Sequence, residues 1–289
     1  MIYTCLPYFN EALIARIRID NDNGYVDRLN IMESDYTFKY KYKGFNFPED
    51  LKNKEMVDYR RLNGGEKFLP NSKLGKIRLF PYRISRNPYK RALSVPTWYN
   101  EAVQRNAVAS MVEPKDNDYV ILCDFDELLD MRYLPQIIQE VNKRGIITCK
   151  LRFTMFYFNL FVENWGGPSD YSYRMFIMTG KYFNNMKMTS DELRKKGERK
   201  QLLDDIYCID EFCGFHHSWL GDAAMVLNKM GAYAHSFGEH LGSTEEYIAE
   251  CIRKREAFFD GVMLKADSQV KLLPEVEKLR LTRSQLFLD

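Results

Sequence analysis

Tyr119-Val120-Ile121-Leu122-Cys123-Asp124-Phe125-Asp126-Glu127 is the stretch that decides the fold. Its first five residues are apolar or aromatic and predict a strand buried on both faces, the pattern of a parallel sheet covered by helices. The acidic residues that follow mark the C-terminal end of that strand. Because side chains alternate along extended backbone, Asp124 and Asp126 are predicted to point toward one side.

Outward from this strand, helices and strands alternate. On the N-terminal side, Ile2 to Leu6 reads as a strand; after Pro7, Asn10 caps a helix carrying Leu13, Ile14 and Ile17 at helical spacing. Val26 to Met32 predicts a second strand ending at Glu33, and Lys76 to Phe80 a third. Pro96-Thr97 opens a long helix with an apolar stripe of Ala102, Val103, Ala107, Val108 and Met111. On the C-terminal side, a helix from Leu134 to about Asn142 closes at Gly145, and Ile146 to Phe153 is a strand. Further along lie an aromatic stretch from Phe153 to Trp165, a strand around Tyr171 to Met178, and a charged segment, Asp191 to Lys200, read as solvated surface. Ser243-Thr244-Glu245-Glu246 reads as a capping box that opens a helix to about Phe259. The rhythm predicts an α/β chain with a central, mostly parallel, Rossmann-like sheet flanked by helices. With no repeat or linker, the 289 residues read as one domain, divisible into residues 1–130, 131–260 and a C-terminal extension, 261–289.

Charge excludes two partner classes. The 42 Lys and Arg against 40 Asp and Glu leave a net charge of +2, too balanced for a dedicated binder of nucleic acid or anionic membrane. No run approaches the ~20 apolar residues of a membrane span, and the start lacks a signal-peptide pattern, so a soluble, cytoplasmic or otherwise intracellular chain is expected. The six cysteines are scattered, several within apolar runs, and read as reduced core residues; Cys208 and Cys213 match no common zinc spacing.

The chemistry centres on Asp124-Phe125-Asp126. Asp-x-Asp recurs at Asp20-Asn21-Asp22 and Asp116-Asn117-Asp118, which read as turns; only the third follows a buried-type strand. Carboxylates gathered there repel one another unless a divalent cation holds them, and carboxylate with phosphate oxygen is the ligand set of Mg²⁺ or Mn²⁺. The competing reading has Asp126 or Asp130 capping the next helix. His216, His217, His235 and His240 are candidates for a metal or a diphosphate, and equally for structural roles. The five-residue step from His235 to His240 does not make a zinc-protease pair. Ser94, Ser218 and Ser236 lack a Gly-x-Ser-x-Gly context, and no Gly-x-Gly-x-x-Gly follows the first strand. Trp98, Tyr99, Trp165 and Phe215 fit either sugar stacking or packing, and Glu101 with Arg105 either a surface ion pair or a pocket.

The order of the pieces adds a resemblance. Met1-Ile2-Tyr3-Thr4-Cys5-Leu6-Pro7-Tyr8-Phe9-Asn10-Glu11 is followed by Trp98-Tyr99-Asn100-Glu101 with Arg105-Asn106, and then by Asp124-Phe125-Asp126-Glu127. Trp165-Gly166-Gly167-Pro168 and Gly214-Phe215-His216-His217-Ser218 come next, with Gly221, Lys229 and His235 after them. Together they resemble glycosyltransferase family 17, the family of β-1,4-mannosyl-glycoprotein 4-β-N-acetylglucosaminyltransferase, over residues 1 to roughly 240. The resemblance implies a GT-A-type fold, a UDP-N-acetylglucosamine donor bound by residues 1–130, an acceptor side in 131–260, and inverting transfer to a mannose hydroxyl. It implies that Asp124, Asp126 and His235 hold Mn²⁺ or Mg²⁺, and that Pro7, Asn10, Glu11, Glu33, Arg105, Asp124 and His216 surround the donor. Asp126, Glu127 and Asp222 are then the catalytic candidates, with Asp210 and Glu211 as other possible bases. His217 stands where the family pattern has an aromatic, and Phe215 replaces its Trp, which implies a different acceptor. The absence of the animal enzymes' membrane anchor fits a cytoplasmic or viral enzyme building another glycan. Two other classes share the features: a haloacid-dehalogenase-like phosphohydrolase with Asp124 as nucleophile, against which Glu127-Leu128 replaces the expected Gly-Thr, and a non-catalytic carbohydrate-binding protein.

Overall fold

The computed structural model describes residues 1–162, 171–172, 174–198, 205–232, 244–258 and 262–288. Trp165 to Pro168, Ser236, His235, His240 and Ser243 lie outside these residues. The first strand and helix are β1 (Ile2–Tyr8) and α1 (Ala12–Asp22), followed by β2 (Arg28–Ser34) and β3 (Val57–Leu62). After short helical turns come α2 (Pro96–Ala109), β4 (Tyr119–Leu122), β5 (Glu127–Leu129), α3 (Leu134–Arg144) and β6 (Ile146–Phe156). The chain continues through β7 (Leu160–Val162), β8 (Tyr171–Ser172), β9 (Phe176–Thr179), α4 (Ser190–Glu198) and β10 (Tyr207–Leu220). It ends with α5 (Ala223–Ala232), α6 (Glu245–Lys254) and β11 (Leu264–Ala266).

All eleven strands join one sheet, ordered β11-β7-β6-β9-β4-β1-β2-β3, with β8 and β10 on β6 and β5 on β10. From β3 to β4 the pairing is parallel, because each crossover returns the chain to the same end of the sheet. Beyond β4 it is mixed: β9 runs antiparallel between β4 and β6, and β10 parallel to β6. The helix-flanked Rossmann-like sheet matches the expected class, with all-parallel pairing in its first half and mixed pairing in its second. The sheet and one hydrophobic cluster cross the boundaries at 130 and 261: Leu6, Ile121, Ile147, Leu272 and Val276 pack in the same core.

Strand alternation explains how both faces are covered. On β4, Val120 and Leu122 join Cys5, Val108 of α2 and Leu193 of α4, whereas Ile121 and Cys123 join Leu6, Ile14 of α1 and Ile137 of α3. These side chains are nearly or wholly buried; burying one of this size contributes about 1.5–3 kcal/mol relative to exposure. Helix α3 begins with Leu134-Pro135 and ends at Gly145, whose φ of 81° is the left-handed conformation that suits a C-terminal glycine.

Five sequence readings change. Asn10 does not cap α1: the N-cap position is Glu11, which makes no side-chain cap bond. Lys76 to Phe80 is helical, not extended: Ser72 Oγ caps Gly75 N–H at 3.2 Å, and the run lies across the helices Lys73–Arg78 and Phe80–Arg83. The third strand is Val57–Leu62, an edge strand whose Arg60 and Arg61 obscure its pattern. The strand expected over Tyr171 to Met178 is two strands, β8 and β9. The N-cap of α6 is Thr244, whose Oγ1 accepts from Tyr247 N–H at 3.2 Å, and the helix stops at Lys254, ahead of left-handed Arg255 (φ 56°). Most consequential, Asp191 to Glu198 is not solvated surface. In α4, Asp191, Leu193, Arg194 and Lys195 are all buried.

Gly214 packs β10 directly onto β5: a Cβ there meets Leu128 O at 2.2 Å and Leu129 Cα at 3.0 Å, and backbone cannot swing aside as a flexible side chain does. Gly214→Ala is therefore expected to lose about 1–3 kcal/mol of stability by urea unfolding, the usual penalty of overpacking; an unchanged midpoint would contradict this β5–β10 contact.

Candidate functional site

The turn after β4 is built from below, from within and from above. From below, Arg18 of α1, only 1 % exposed, donates from Nε to Phe125 O at 3.2 Å and from Nη2 to the carbonyls of Asp124 and Glu127. From within, Glu127 Oε2 accepts the Asp124 N–H at 2.8 Å. The parity that sends Ile121 and Cys123 toward α1 also sends Phe125 there, where it packs edge-on against Tyr8 at 5.0 Å. From above, α2 and α4 supply the cations.

Arg105 of α2 forks onto Asp124, with Nη2 at 2.9 and 3.0 Å from the two carboxylate oxygens and Nε at 3.2 Å from Oδ1. Arg194 of α4 bridges Asp124 Oδ2 and Glu127 Oε1, the latter at 3.0 Å. Arg105 also pairs with Glu101 at 2.8 Å and Asp191 at 3.4 Å, and Lys195 with Glu101 at 2.8 Å. Burial alone would push these carboxyls up, but Arg105 and Arg194 hold Asp124 below its ordinary value. Arg105 and Lys195 likewise bring Glu101 to about 2 against the same burial, and Lys195, Arg174 and Arg194 bring Glu198 to about 2. For Asp191, burial wins and the carboxyl is pushed up.

Asp126 has different partners. Its Oδ2 lies 3.1 Å from Lys229 Nζ of α5, and its Oδ1 3.3 Å from His216 Nε2 of β10. Lys229 outweighs the burial penalty, with His216 adding to it, and Asp126 is held well below the usual carboxylate range. His216 stacks flat on Phe153 at 4.6 Å, which fixes the imidazole. Lys229 also reaches Glu11 Oε1 at 3.4 Å, while Glu11 Oε2 accepts from the N–H groups of Phe9 and Asn10. Asp124 and Asp126 thus border one cleft while being gripped from opposite sides. The cleft is lined by Pro7, Tyr8, Phe9, Phe38 and Phe125 with Glu11, Gln104, Arg105 and Lys229.

Pro7, Glu11, Arg105, Asp124 and Asp126 come together here, with His216 directly behind Asp126. Asn10 lines the adjoining pocket. Glu33 does not reach the cleft: its carboxylate is consumed by Lys43 Nζ and Asn46 N–H at 2.7 Å, Phe47 N–H at 3.1 Å and the Tyr59 hydroxyl at 2.7 Å, and it anchors the loop after β2. Glu127 is fully buried between Arg194 and its own turn, a structural carboxylate. Asp222 is exposed and caps α5, accepting Met225 N–H at 2.9 Å; Asp210 and Glu211 are also exposed. Asp130, not Asp126, fulfils the capping reading, its Oδ1 accepting Arg132 N–H at 3.1 Å. His235, the third expected metal ligand, lies outside the described residues.

The described residues do not fit a divalent cation as arranged. Both oxygens of Asp124 face guanidinium groups, both of Asp126 face Lys229 and His216, and no cluster of three or more His, Cys, Asp or Glu among the described residues is placed to hold a metal. The same pairing leaves Asp124 without the free oxygen that a phosphohydrolase nucleophile needs. Sequence reasoning missed Arg194 and Lys195, hidden in a segment whose charge density reads as solvated. It also missed the role of Gln104, whose amide donates to Tyr8 O and Met32 O and ties α2 to β1 and β2.

Two outcomes follow from the ion network. Arg194→Ala leaves Asp124 and Glu127 short of a buried partner and is expected to lose about 3–5 kcal/mol of unfolding free energy; a loss below ~1 kcal/mol would show that the pairing is not formed. Glu101 and Glu198 have depressed folded values, so their contribution is present above the ordinary glutamate value of 4.5 and is lost as pH falls toward about 2. Urea unfolding between pH 6 and 2.5 should show stability declining through this window, and Arg194→Ala should decline less steeply.

No family model matches the chain, and no curated protein matches it. Among solved structures, TarS 1-349 of S. aureus in complex with UDP-GlcNAc is similar at 10% identity with a TM-score of 0.38, over 75% of this chain and 58% of that one. A second structure of TarS 1-349 gives 10% identity and 0.34 over 88% and 72%, and a mannose-6-phosphate isomerase from Helicobacter pylori 12% and 0.30 over 64% and 72%. The chain thus spans less than two thirds of the first TarS fragment, and likenesses this distant establish no family.

Proposed function

We propose that the chain is an inverting glycosyltransferase that takes a nucleotide sugar in the cleft beside Asp126, with UDP-N-acetylglucosamine as donor and a glycan hydroxyl, such as that of mannose, as acceptor. The observation that carries this reading is the position of the cleft. It lies outside the carboxyl ends of β1 and β4, where the strand order reverses, the place at which open α/β sheets bind ligands. Residues from three of the motifs resembling glycosyltransferase family 17 support this reading, since Pro7, Glu11, Arg105, Asp124 and Asp126 all line the cleft.

The lining suits a nucleotide diphosphate. Phe9 and Phe38 are the part-buried aromatic rings on the cleft that could face a base, and Arg105 and Lys229 are the cations bordering it. As the acceptor oxygen bonds to the anomeric carbon, the bond from that carbon to the phosphate oxygen breaks, its electron pair passes to the departing diphosphate, and the hydroxyl proton passes to a carboxylate bordering the cleft, Glu11 or Asp126. Lys229, held between Asp126 and Glu11, is placed to oppose that charge within a partly water-excluded site. Asp126 orients Lys229, and His216 orients Asp126.

In UDP-release assays, Asp126→Asn and Lys229→Met are each expected to lower turnover of UDP-N-acetylglucosamine about 100-fold or more while the protein stays folded. Wild-type turnover in Asp126→Asn, or no UDP binding by calorimetry in the unmodified protein, would overturn the assignment. Because the carboxylates already have cationic partners, UDP affinity in excess EDTA should lie within about tenfold of that in Mn²⁺. A larger gain with Mn²⁺ would return Asp124 and Asp126 to the role of metal ligands.

A further inference from the structure

The loops and short helices between β3 and α2 carry a charge imbalance that the whole chain conceals. Between Glu66 and Glu101 there are eight Lys and Arg and no Asp or Glu, and all eight cations are exposed. None has an ion-pair partner among the described residues. The same stretch holds Leu74, Ile77, Phe80, Ile84 and Val95, five of the twelve large apolar side chains that are exposed among the described residues. The net charge of +2 that argues against an anionic partner is an average, and this segment departs from it.

Helical spacing gathers the apolar residues into one ridge. Leu74, Ile77, Phe80 and Ile84 follow one another at steps of three, three and four along the helices Lys73–Arg78 and Phe80–Arg83 and the residue that closes the second, so they share a face, and they are 55–68 % exposed. The opposite face packs inward: Leu79 is buried, and Gly75 sits so close to Pro70 O that a Cβ would meet it at 2.1 Å. Lys76, Arg78 and Arg83 stand exposed beside the ridge. This platform is anchored to the helices that carry the ion network. Tyr82 packs edge-on against Tyr99 of α2 at 6.0 Å, and the Tyr89 hydroxyl donates to Asp191 Oδ2 of α4 at 3.0 Å. From Pro96, where the platform meets α2, to Arg105 at the cleft is about 14 Å at the helical rise per residue, so the two lie near each other.

Single exposed apolar side chains are ordinary, but a contiguous ridge of four within an acid-free basic stretch marks an interaction surface. A nucleic acid would satisfy the cations and leave Ile77, Phe80 and Ile84 in water. An anionic lipid surface takes both, since its phosphates and carboxylates face the cations while the ridge enters the boundary between headgroups and acyl chains. No helix among the described residues is long and apolar enough to cross a membrane, so the contact is peripheral. We propose that the segment from Lys73 to Val95 docks the protein on an anionic bilayer, with Leu74, Ile77, Phe80 and Ile84 inserted and Lys76, Arg78 and Arg83 on the headgroups. The inference is independent of the glycosyltransferase reading and adds a surface that brings the cleft close to lipid.

The test is co-sedimentation of the full chain with extruded vesicles of phosphatidylserine and phosphatidylcholine at a ratio of about 1:3, and with vesicles of phosphatidylcholine alone. The parent should bind the mixed vesicles and bind the neutral ones at least about tenfold more weakly. Combining Lys76→Gln, Arg78→Gln and Arg83→Gln should weaken binding to the mixed vesicles about 100-fold. Combining Ile77→Ser, Phe80→Ser and Ile84→Ser, which leaves the charge unchanged, should weaken it about tenfold or more, whereas Leu281→Ser, an exposed apolar position outside the segment, should leave it unchanged. Thermal unfolding checks each variant, and Ile77→Ser alone, expected to bind about threefold more weakly, decides the apolar contribution should the triple variant not fold. A parent that stays in solution with the mixed vesicles would overturn the proposal. So would folded serine variants that bind like the parent, or a single-stranded oligonucleotide bound more tightly than the vesicles through the same cations without dependence on Ile77, Phe80 and Ile84.

Discussion

The pairing of Asp124 with Arg105 and Arg194 organises everything around it. A carboxylate at the end of a buried strand cannot remain ionised alone, since removing it from water costs several kcal/mol. Two guanidinium groups compensate it, and each must itself be compensated, so the pairing spreads to Glu101, Asp191, Glu127 and Glu198. The outcome is mechanical as well as electrostatic. Helices α2 and α4, separated by β4 to β9 in sequence, are joined through Asp124 and directly by the Arg105–Asp191 and Lys195–Glu101 pairs, and the turn after β4 is held between them.

This rigidity shapes the cleft. With Arg18 holding the turn's carbonyls and the arginines its first carboxylate, Asp126 faces Lys229 and His216 on the other side of the turn. The two acids of one Asp-x-Asp triplet both border the cleft but take different partners: the first ties α2 to α4 through Arg105 and Arg194, and the second pairs with Lys229 and His216. Lys229 lines both this cleft and the adjoining pocket.

The corrections share a cause. Asp191-Glu192-Leu193-Arg194-Lys195-Lys196 carries five charges in six residues, which by composition is a solvated helix; it is buried because its charges find opposite charges contributed by α2 and β4. Glu33 ends a strand beside the cleft, as a ligand-binding carboxylate would, yet donors from the loop after β2 and from Tyr59 exhaust it. Asp222 flanks the histidine segment but faces outward, since the backbone turn after β10 sets its direction. The α4 cations and Glu33 find their partners well away in the chain, whereas Asp222 is taken by a backbone N–H only three residues on.

The sequence by itself determined the alternation of strands and helices, the strand Tyr119 to Leu122, the Asp-x-Asp at its end and the helix from Pro96, because hydrophobic period, caps and glycines act over a few residues. It also singled out Pro7, Glu11, Arg105 and His216, through the order of short motifs. Only the tertiary structure decided which cations pair with each acid of the triplet, and that Arg194 and Lys195 are interior. Those outcomes depend on which opposite charges and donors meet after folding, and in a buried ion network the identity of a group's neighbours, rather than of the group, sets what it can do.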